Sequence, residues 1–288
     1  MMEASPNPSV GVHETAFDAF GVRVGVTVDD GDIASRIATI VPPQSRPCDP
    51  SAVEQHFSVV TTDGLSFTVR YDVRDGVLAH PLQSESYVVS KADPELALGL
   101  LDTHVHGVVA FRAPDYVFIG AGVVGFEDRA IVIPGMALSG KTTLVAALVR
   151  AGCVYYSDQY AVIDDRGWVH PYARRRWPHT PEDQWLAANQ VDLASSVAGE
   201  APLPVGAVVA TSYWPGAEWR PKPLSRGEGL LALLSHAVAA QHRTPHVMHA
   251  INRALDQQPV MIASDRHEAD GVVAPLLAEM ERALSRPA

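Results

Sequence analysis

Gly135, Gly140, Lys141 and Thr142 stand in the spacing Gly-x-x-x-x-Gly-Lys-Thr, and those residue types at that spacing suit one chemistry, the grip on a phosphate group. Glycines let the backbone bend so that successive N–H groups converge on one concavity, and a following helix adds the positive end of its dipole. The lysine bridges the outer phosphates of a nucleotide, and the hydroxyl after it takes a coordination position on Mg²⁺. The expected nucleotide-binding residues are Gly135, Met136, Ala137, Leu138, Ser139, Gly140, Lys141, Thr142 and Thr143. Asp158 is the next candidate, at the end of the strand signal Cys153-Val-Tyr-Tyr-Ser157. A carboxylate there reaches either a bound metal or the hydroxyl that attacks the γ-phosphate. The plain alternative is an aspartate that closes a strand-end turn. The expected catalytic residues are thus Asp158 and Lys141, and the expected metal ligands are Thr142 and Asp158.

The flanking elements carry the context that a phosphate loop requires. Ala130-Ile-Val-Ile-Pro134 reads as a strand entering the loop, and Leu144, Ala147 and Leu148 fall on one helical face that ends at Gly152. Upstream, Tyr116 to Val124 is strand-like, with a turn at Phe126-Glu-Asp-Arg129. Downstream, Tyr160–Asp164 and Trp168–Tyr172 predict a hairpin, followed by helices over 229–241 and 245–256, a strand over Val260–Ala263 and a closing helix from His267 to Leu284. Before all this, residues 1–15 read as a tail and Phe20–Val28 as a strand ending at the turn Asp29–Asp32. Phe57–Thr61 and Ser66–Tyr71 form a hairpin across Thr62-Asp63-Gly64, and Asp75-Gly76 closes another. Val41 to Pro50 contains four prolines and is expected to be loop. Leu96 to His104 has the spacing of a short amphipathic helix. The expected organisation is a β-rich domain over 16–110 and a phosphate-loop domain over 111–288.

Composition narrows the function classes. The chain has 288 residues, 47% of them hydrophobic, and a formal net charge of −11. That charge argues against nonspecific binding to nucleic acid or anionic lipid, which depends on excess Lys and Arg. No apolar run is long enough for a bilayer span, and Met1-Met-Glu-Ala-Ser-Pro lacks the basic start and apolar middle of a secretory signal. A cytoplasmic protein without membrane partners is expected. The two cysteines, Cys48 and Cys153, have neither metal-site nor redox-pair spacing.

Ile131 to Asp164, with its strand, phosphate loop, glycine-terminated helix, strand ending in Ser157-Asp158 and hairpin, resembles the catalytic core of the HPr serine kinase/phosphorylase family and its kinase-like relatives. The resemblance implies an α/β fold of the phosphoenolpyruvate carboxykinase-like type, with a mixed sheet, preceded here by the small β-rich domain. It implies Mg²⁺·ATP as ligand, Lys141 and Thr142 on phosphate and Mg²⁺, and Asp158 as the acid/base that accepts the acceptor's hydroxyl proton. The acceptor it implies is a serine or threonine of a protein or peptide, and it allows a homo-oligomer. An ATP-binding regulator or scaffold and a small-molecule kinase are the alternatives. Gly120-Ala121 and Gln159 stand where family members carry a histidine pair and a second carboxylate.

Further residues invite a role. Arg174-Arg175-Arg176 suits phosphate or acceptor binding, against a solvated basic turn. His246 and His249 lie one helical turn apart without an evident third ligand. Trp214 and Trp219 read as buried loop anchors, and His104 and His106 as ordinary residues at the start of the second domain.

Overall fold

The computed structural model describes residues 11–62, 64–73, 86–136, 139–174, 193 and 197–285. These residues divide into two compact units between Pro114 and Asp115.

The first unit is a mixed sheet with one long helix. Its strands are β1 (His13–Ala19), β2 (Val22–Val28), β3 (Arg46–Pro47), β4 (Gln55–Thr62), β5 (Ser66–Val73) and β6 (Ser86–Ser90), in the order β3-β1-β2-β4-β5-β6 among the described residues. β1 begins inside the stretch expected to be a tail, and it pairs with β2 along its whole length, from His13 opposite Val28 to Ala19 opposite Val22. Phe17 and Ala19 are its buried positions. The turn between them uses Phe20 at φ 53° and Gly21 at φ 81°, the two left-handed residues that match a hairpin's twist. The proline-rich stretch is not all loop, because Arg46 and Pro47 pair with β1 at the sheet edge, where a missing N–H is tolerated.

The expected turn at Asp29–Asp32 is a helix start. Asp30 Oδ1 accepts the N–H groups of Asp32 and Ile33 and caps α1 (Gly31–Arg36). α2 (Pro94–Arg112) is much longer than the expected helix over Leu96–His104, since Leu98, Leu101, Val105, Val108 and Val109 continue one buried face. His104 and His106 are buried within α2, on the first unit rather than at the start of the second. The expected turn residues Asp63, Asp75 and Gly76 lie outside the described residues.

The second unit is a three-layer α/β arrangement. Its strands are β7 (Val117–Phe126), β8 (Arg129–Pro134), β9 (Val154–Ser157), β10 (Tyr160–Ile163), β11 (Trp168–His170), β12 (Leu203–Ala210), β13 (Lys222–Pro223) and β14 (Val260–Ala263). Its helices are α3 (Lys141–Arg150), α4 (Arg226–Leu234), α5 (Thr244–Leu255) and α6 (Asp270–Leu284). The sheet runs β11-β10-β7-β8-β12-β14-β13, with β9 also on β7. β12 is parallel to both β8 and β14, whereas β7 is antiparallel to β8, β9 and β10.

Alternation along the strands separates two cores. Val117, Ile119 and Ala121 of β7, with Ala130 and Val132 of β8, pack with Val247, Ile251 and Leu255 of α5. The intervening Val124, Ile131 and Ile133 pack with Leu144 and Leu148 of α3 and Val272 and Leu276 of α6. A strand covered on both faces shows no alternation in sequence, which is why Ile131-Val-Ile133 reads as a continuous apolar run. β12 has no counterpart among the expected elements. α4 is shorter than the helix expected over 229–241: after Leu234 the chain leaves the helix, and Ala237 forms a bridge to Ile119 of β7.

Candidate functional site

The loop from Gly135 leaves the sheet at the end of β8, where the Gly135 N–H donates to the Gly120 carbonyl at 3.1 Å. Two glycines have distinct reasons to be glycines. A Cβ on Gly135 would lie 2.5 Å from Ser139 Oγ, and Gly140 sits at φ 81°, where a Cβ would lie 2.6 Å from the Arg266 guanidinium. Lys141 then opens α3, whose first turn contains no acidic residue and no side-chain cap. The positive end of the helix is thus left to an anion. The Lys141 ammonium donates to the Met136 carbonyl and lies 3.5 Å from Ser139 Oγ. Ala137 and Leu138, two expected loop contacts, lie outside the described residues. Thr143 is half-buried on the first turn of α3.

Asp158 reaches this turn from the end of β9. Thr142 Oγ1 donates to Asp158 Oδ2 at 3.1 Å, and the Tyr155 hydroxyl donates to Asp158 Oδ1 at 3.0 Å. Asp158 is only 4% exposed, and a carboxylate at that depth requires such donors. The expected metal pair, Thr142 and Asp158, is therefore in direct contact. Gly135, Met136, Ser139, Gly140, Lys141, Thr142, Thr143 and Asp158 form one local constellation. These groups suit a Mg²⁺-bound nucleotide: a bare helix start, a loop whose Gly135 leaves room only for hydrogen, and a hydroxyl–carboxylate pair of oxygen donors.

The residue that braces the loop belongs to no sequence motif. Arg266, just beyond β14, is 2% exposed, and its guanidinium donates to the Gly140 carbonyl at 2.6 Å. Its own backbone N–H donates to Ser212 O at 3.0 Å, its carbonyl accepts from the Trp214 N–H at 2.8 Å, and the Tyr213 N–H donates to Ser139 O at 3.1 Å. Burial pushes the Arg266 pKa down, against Glu268 and Tyr213. The only sequence signal for it is a lone arginine directly after an apolar strand. Trp214, expected as a buried anchor, is 67% exposed because its backbone, not its ring, makes the brace. Trp219 is half-buried against the α3–α6 core.

Buried polar atoms without a hydrogen-bond partner gather around the same edge: Thr211 Oγ1, Gln159 Oε1 and Arg266 Nε. Each such atom costs roughly 1–3 kcal/mol, and strain of that kind is tolerated where function requires it. A cavity of about 980 Å³ opens there, at the carboxyl ends of the parallel strands β8, β12 and β14, and its wall includes Gly135, Met136, Ser139, Thr211, His236 and Asp265. Crevices beyond the carboxyl ends of parallel strands are the usual ligand sites of open α/β sheets. Burial, and then the charge of Lys141, holds the His236 imidazole below its usual pKa.

Other expected residues are not drawn into the site. Arg174 is half-buried, while Arg175, Arg176 and Trp177 to Trp185 lie outside the described residues. His246 and His249 sit on α5, and the described residues contain no group of three side chains able to hold a metal. Cys48 and Cys153 are both free, and burial pushes the Cys153 thiol up to about 11.

No family model matches the chain. Over 99 residues it is 34% identical to the P2-Y purinoceptor 11 of Homo sapiens, a stretch that covers 31% of this chain. The chain spans about a quarter of the length of that curated relative, 26%, which shows no family. Among the described residues, no helix is long and apolar enough to cross a membrane.

Proposed function

We propose that the second unit is a P-loop kinase domain of the HPr-kinase-like type, which binds Mg²⁺·ATP on Gly135–Thr143 and passes the γ-phosphate to a hydroxyl acceptor, a serine or threonine of a protein or peptide. The observation that carries this reading is the 3.1 Å hydrogen bond from Thr142 to Asp158. It joins the first turn after the phosphate loop to a strand-end carboxylate, the pair of groups that holds Mg²⁺ beside the nucleotide phosphates in P-loop enzymes. When bound, the ion neutralises charge on the β- and γ-phosphate oxygens.

The chain's own groups divide the remaining work. Lys141 holds its ammonium at Met136 and Ser139, where the outer phosphates of a nucleotide come to lie. The N–H groups that open α3 bind and orient the phosphates, and Arg266 keeps the Gly140 turn in place from behind. Asp158, deep between Thr142 and Tyr155, serves the metal side. The family resemblance gives it a second task, accepting the acceptor's proton. The net charge of −11 and the free thiols support a cytoplasmic protein that does not act on nucleic acid, and a homo-oligomer is compatible with this reading.

The test is incubation with γ-labelled ATP, Mg²⁺ and candidate hydroxyl acceptors beside a Lys141→Ala control. Label on a protein or peptide supports the kinase, and label in a soluble organic product makes the acceptor a small molecule. ATP bound but never turned over makes the chain an ATP-binding regulator. Absence of ATP binding, or binding indifferent to Lys141→Ala, overturns the reading.

A further inference from the structure

The cavity beyond β8, β12 and β14 holds an imidazole at the mouth of the phosphate loop. His236 O accepts the Gly120 N–H at 2.8 Å, and Gly120 O accepts the Gly135 N–H at 3.1 Å. Two backbone bonds therefore tie His236 to the residue at which the loop leaves the sheet. A Cβ placed on Gly120 would lie 3.6 Å from Gly135 O and 3.9 Å from His236 Cβ, so the histidine side chain and the loop start flank one strand position. The Val238 N–H donates to Phe118 O at 2.9 Å and extends this pairing, which sets the histidine on the sheet.

The terminal phosphate of a bound nucleotide would face the same space. Lys141 reaches the β- and γ-phosphates in loops of this spacing, and the two groups that its ammonium approaches here, Met136 O and Ser139 Oγ, belong to cavity-lining residues. In-line transfer then requires the attacking oxygen to arrive from the cavity side. Asp158 is not among the cavity-lining residues, whereas His236 is.

We propose that this cavity is the acceptor site and that His236 accepts the proton of the acceptor hydroxyl. The inference rests on the kinase reading above. In the step, the acceptor O–H bond breaks and its proton passes to a ring nitrogen of His236. The acceptor oxygen forms a bond to the γ-phosphorus, the bond from that phosphorus to the β–γ bridging oxygen breaks, and ADP departs with the electron pair. The proton later passes to water. Burial and Lys141 hold the imidazole below its usual pKa of 6.5, so it is ready to accept at neutral pH. The other charged groups on the wall are Glu228, Asp265, Arg220 and Lys222; Glu228 is engaged in the Ser225 cap, and Arg220 pairs with Glu218. At about 980 Å³ the cavity lies at the upper end of small-ligand sites, room enough for a serine or threonine with its flanking peptide.

The experiment is an NMR titration of the histidine side chains in the full chain, with His236 assigned by His236→Gln, in three states: nucleotide-free, with Mg²⁺·ADP and with a non-hydrolysable Mg²⁺·ATP analogue. Calorimetry confirms occupancy. The expected His236 midpoint lies below 6.5 without nucleotide and rises in Lys141→Met. The analogue raises it by about half a pH unit or more relative to ADP, because only the analogue brings the γ-phosphate charge. Both His236→Gln and His236→Asn should slow single-turnover hydrolysis of γ-labelled ATP at least about tenfold, with Mg²⁺·ADP affinity and thermal midpoint unchanged. Equal His236 midpoints with ADP and the analogue, or full hydrolysis in both variants, overturn the proposal while leaving the kinase reading standing. Absence of nucleotide binding overturns both.

Discussion

The Arg266 guanidinium donates to the carbonyl oxygen of Gly140 at 2.6 Å, across 126 positions of the chain. Gly140 is the left-handed turn residue of the phosphate loop, and Arg266 follows the strand two places away in the sheet. The contact supplies a charged donor to a carbonyl beneath the nucleotide site, while Ser212 and Trp214 hold Arg266 through its own backbone. A loop with glycines at both ends gains its shape from this brace before any phosphate arrives.

Arg266→Met should therefore weaken the loop more than it weakens the core. A hydrogen bond from a charged donor contributes about 1.5–3 kcal/mol, so Mg²⁺·ADP affinity should fall roughly tenfold or more. Arg266→Lys should recover part of the thermal midpoint and less of the affinity, since an ammonium lacks the planar fork. Calorimetric titration and thermal unfolding read the two effects separately.

The loop glycines should fail for different reasons. Gly140→Ala places a side chain at φ 81° and 2.6 Å from the Arg266 guanidinium, so denaturant unfolding should show a loss of about 1–2 kcal/mol from the left-handed backbone alone. Gly135→Ala meets Ser139 Oγ at 2.5 Å; moving that side chain should reduce nucleotide affinity with a smaller effect on stability.

Asp158→Asn should leave Mg²⁺-free ADP binding largely intact while it removes both the strengthening by Mg²⁺ and turnover. Tyr155→Phe, which deletes one donor to the same carboxylate, should cost about 1 kcal/mol of stability. Parallel titrations with and without Mg²⁺, plus a γ-phosphate transfer assay, decide; unchanged transfer in Asp158→Asn would remove that residue from the site.

Asp164 makes a pH-dependent contribution next to β10. Burial alone would raise its pKa, but the Trp168 N–H, His170 and the Arg166 N–H outweigh burial and hold it below the ordinary value of 3.8. A depressed carboxylate stabilises the fold fully above its unfolded value, and that contribution is lost as pH falls through the lower folded value. The stability difference between the native chain and Asp164→Asn should therefore be constant near neutrality and shrink below about pH 3.8, as acid-range denaturant titrations would show.

From its sequence alone the chain determined the local parts of this arrangement. The Gly135–Gly140–Lys141–Thr142 spacing, the apolar run before it, the helical face after it and Asp158 at the end of the next strand are all encoded within a short stretch, where backbone sterics and side-chain periodicity act between neighbours. The β10–β11 hairpin and β14 were legible for the same reason. β12 was not, because Pro204 and Gly206 interrupt its apolar run and an irregular register between Val205 and Ala207 breaks its alternation; its place between β8 and β14 depends on strands far away in sequence. β1 was hidden because its exposed first residues look like a tail until β2 pairs with them. Arg266 and His236 carry no periodic signal at all. Tertiary structure decided their positions: the partner of Arg266 is a carbonyl 126 residues upstream, and His236 meets the loop through a hydrogen bond to Gly120, contacts that form only when distant strands close into one sheet.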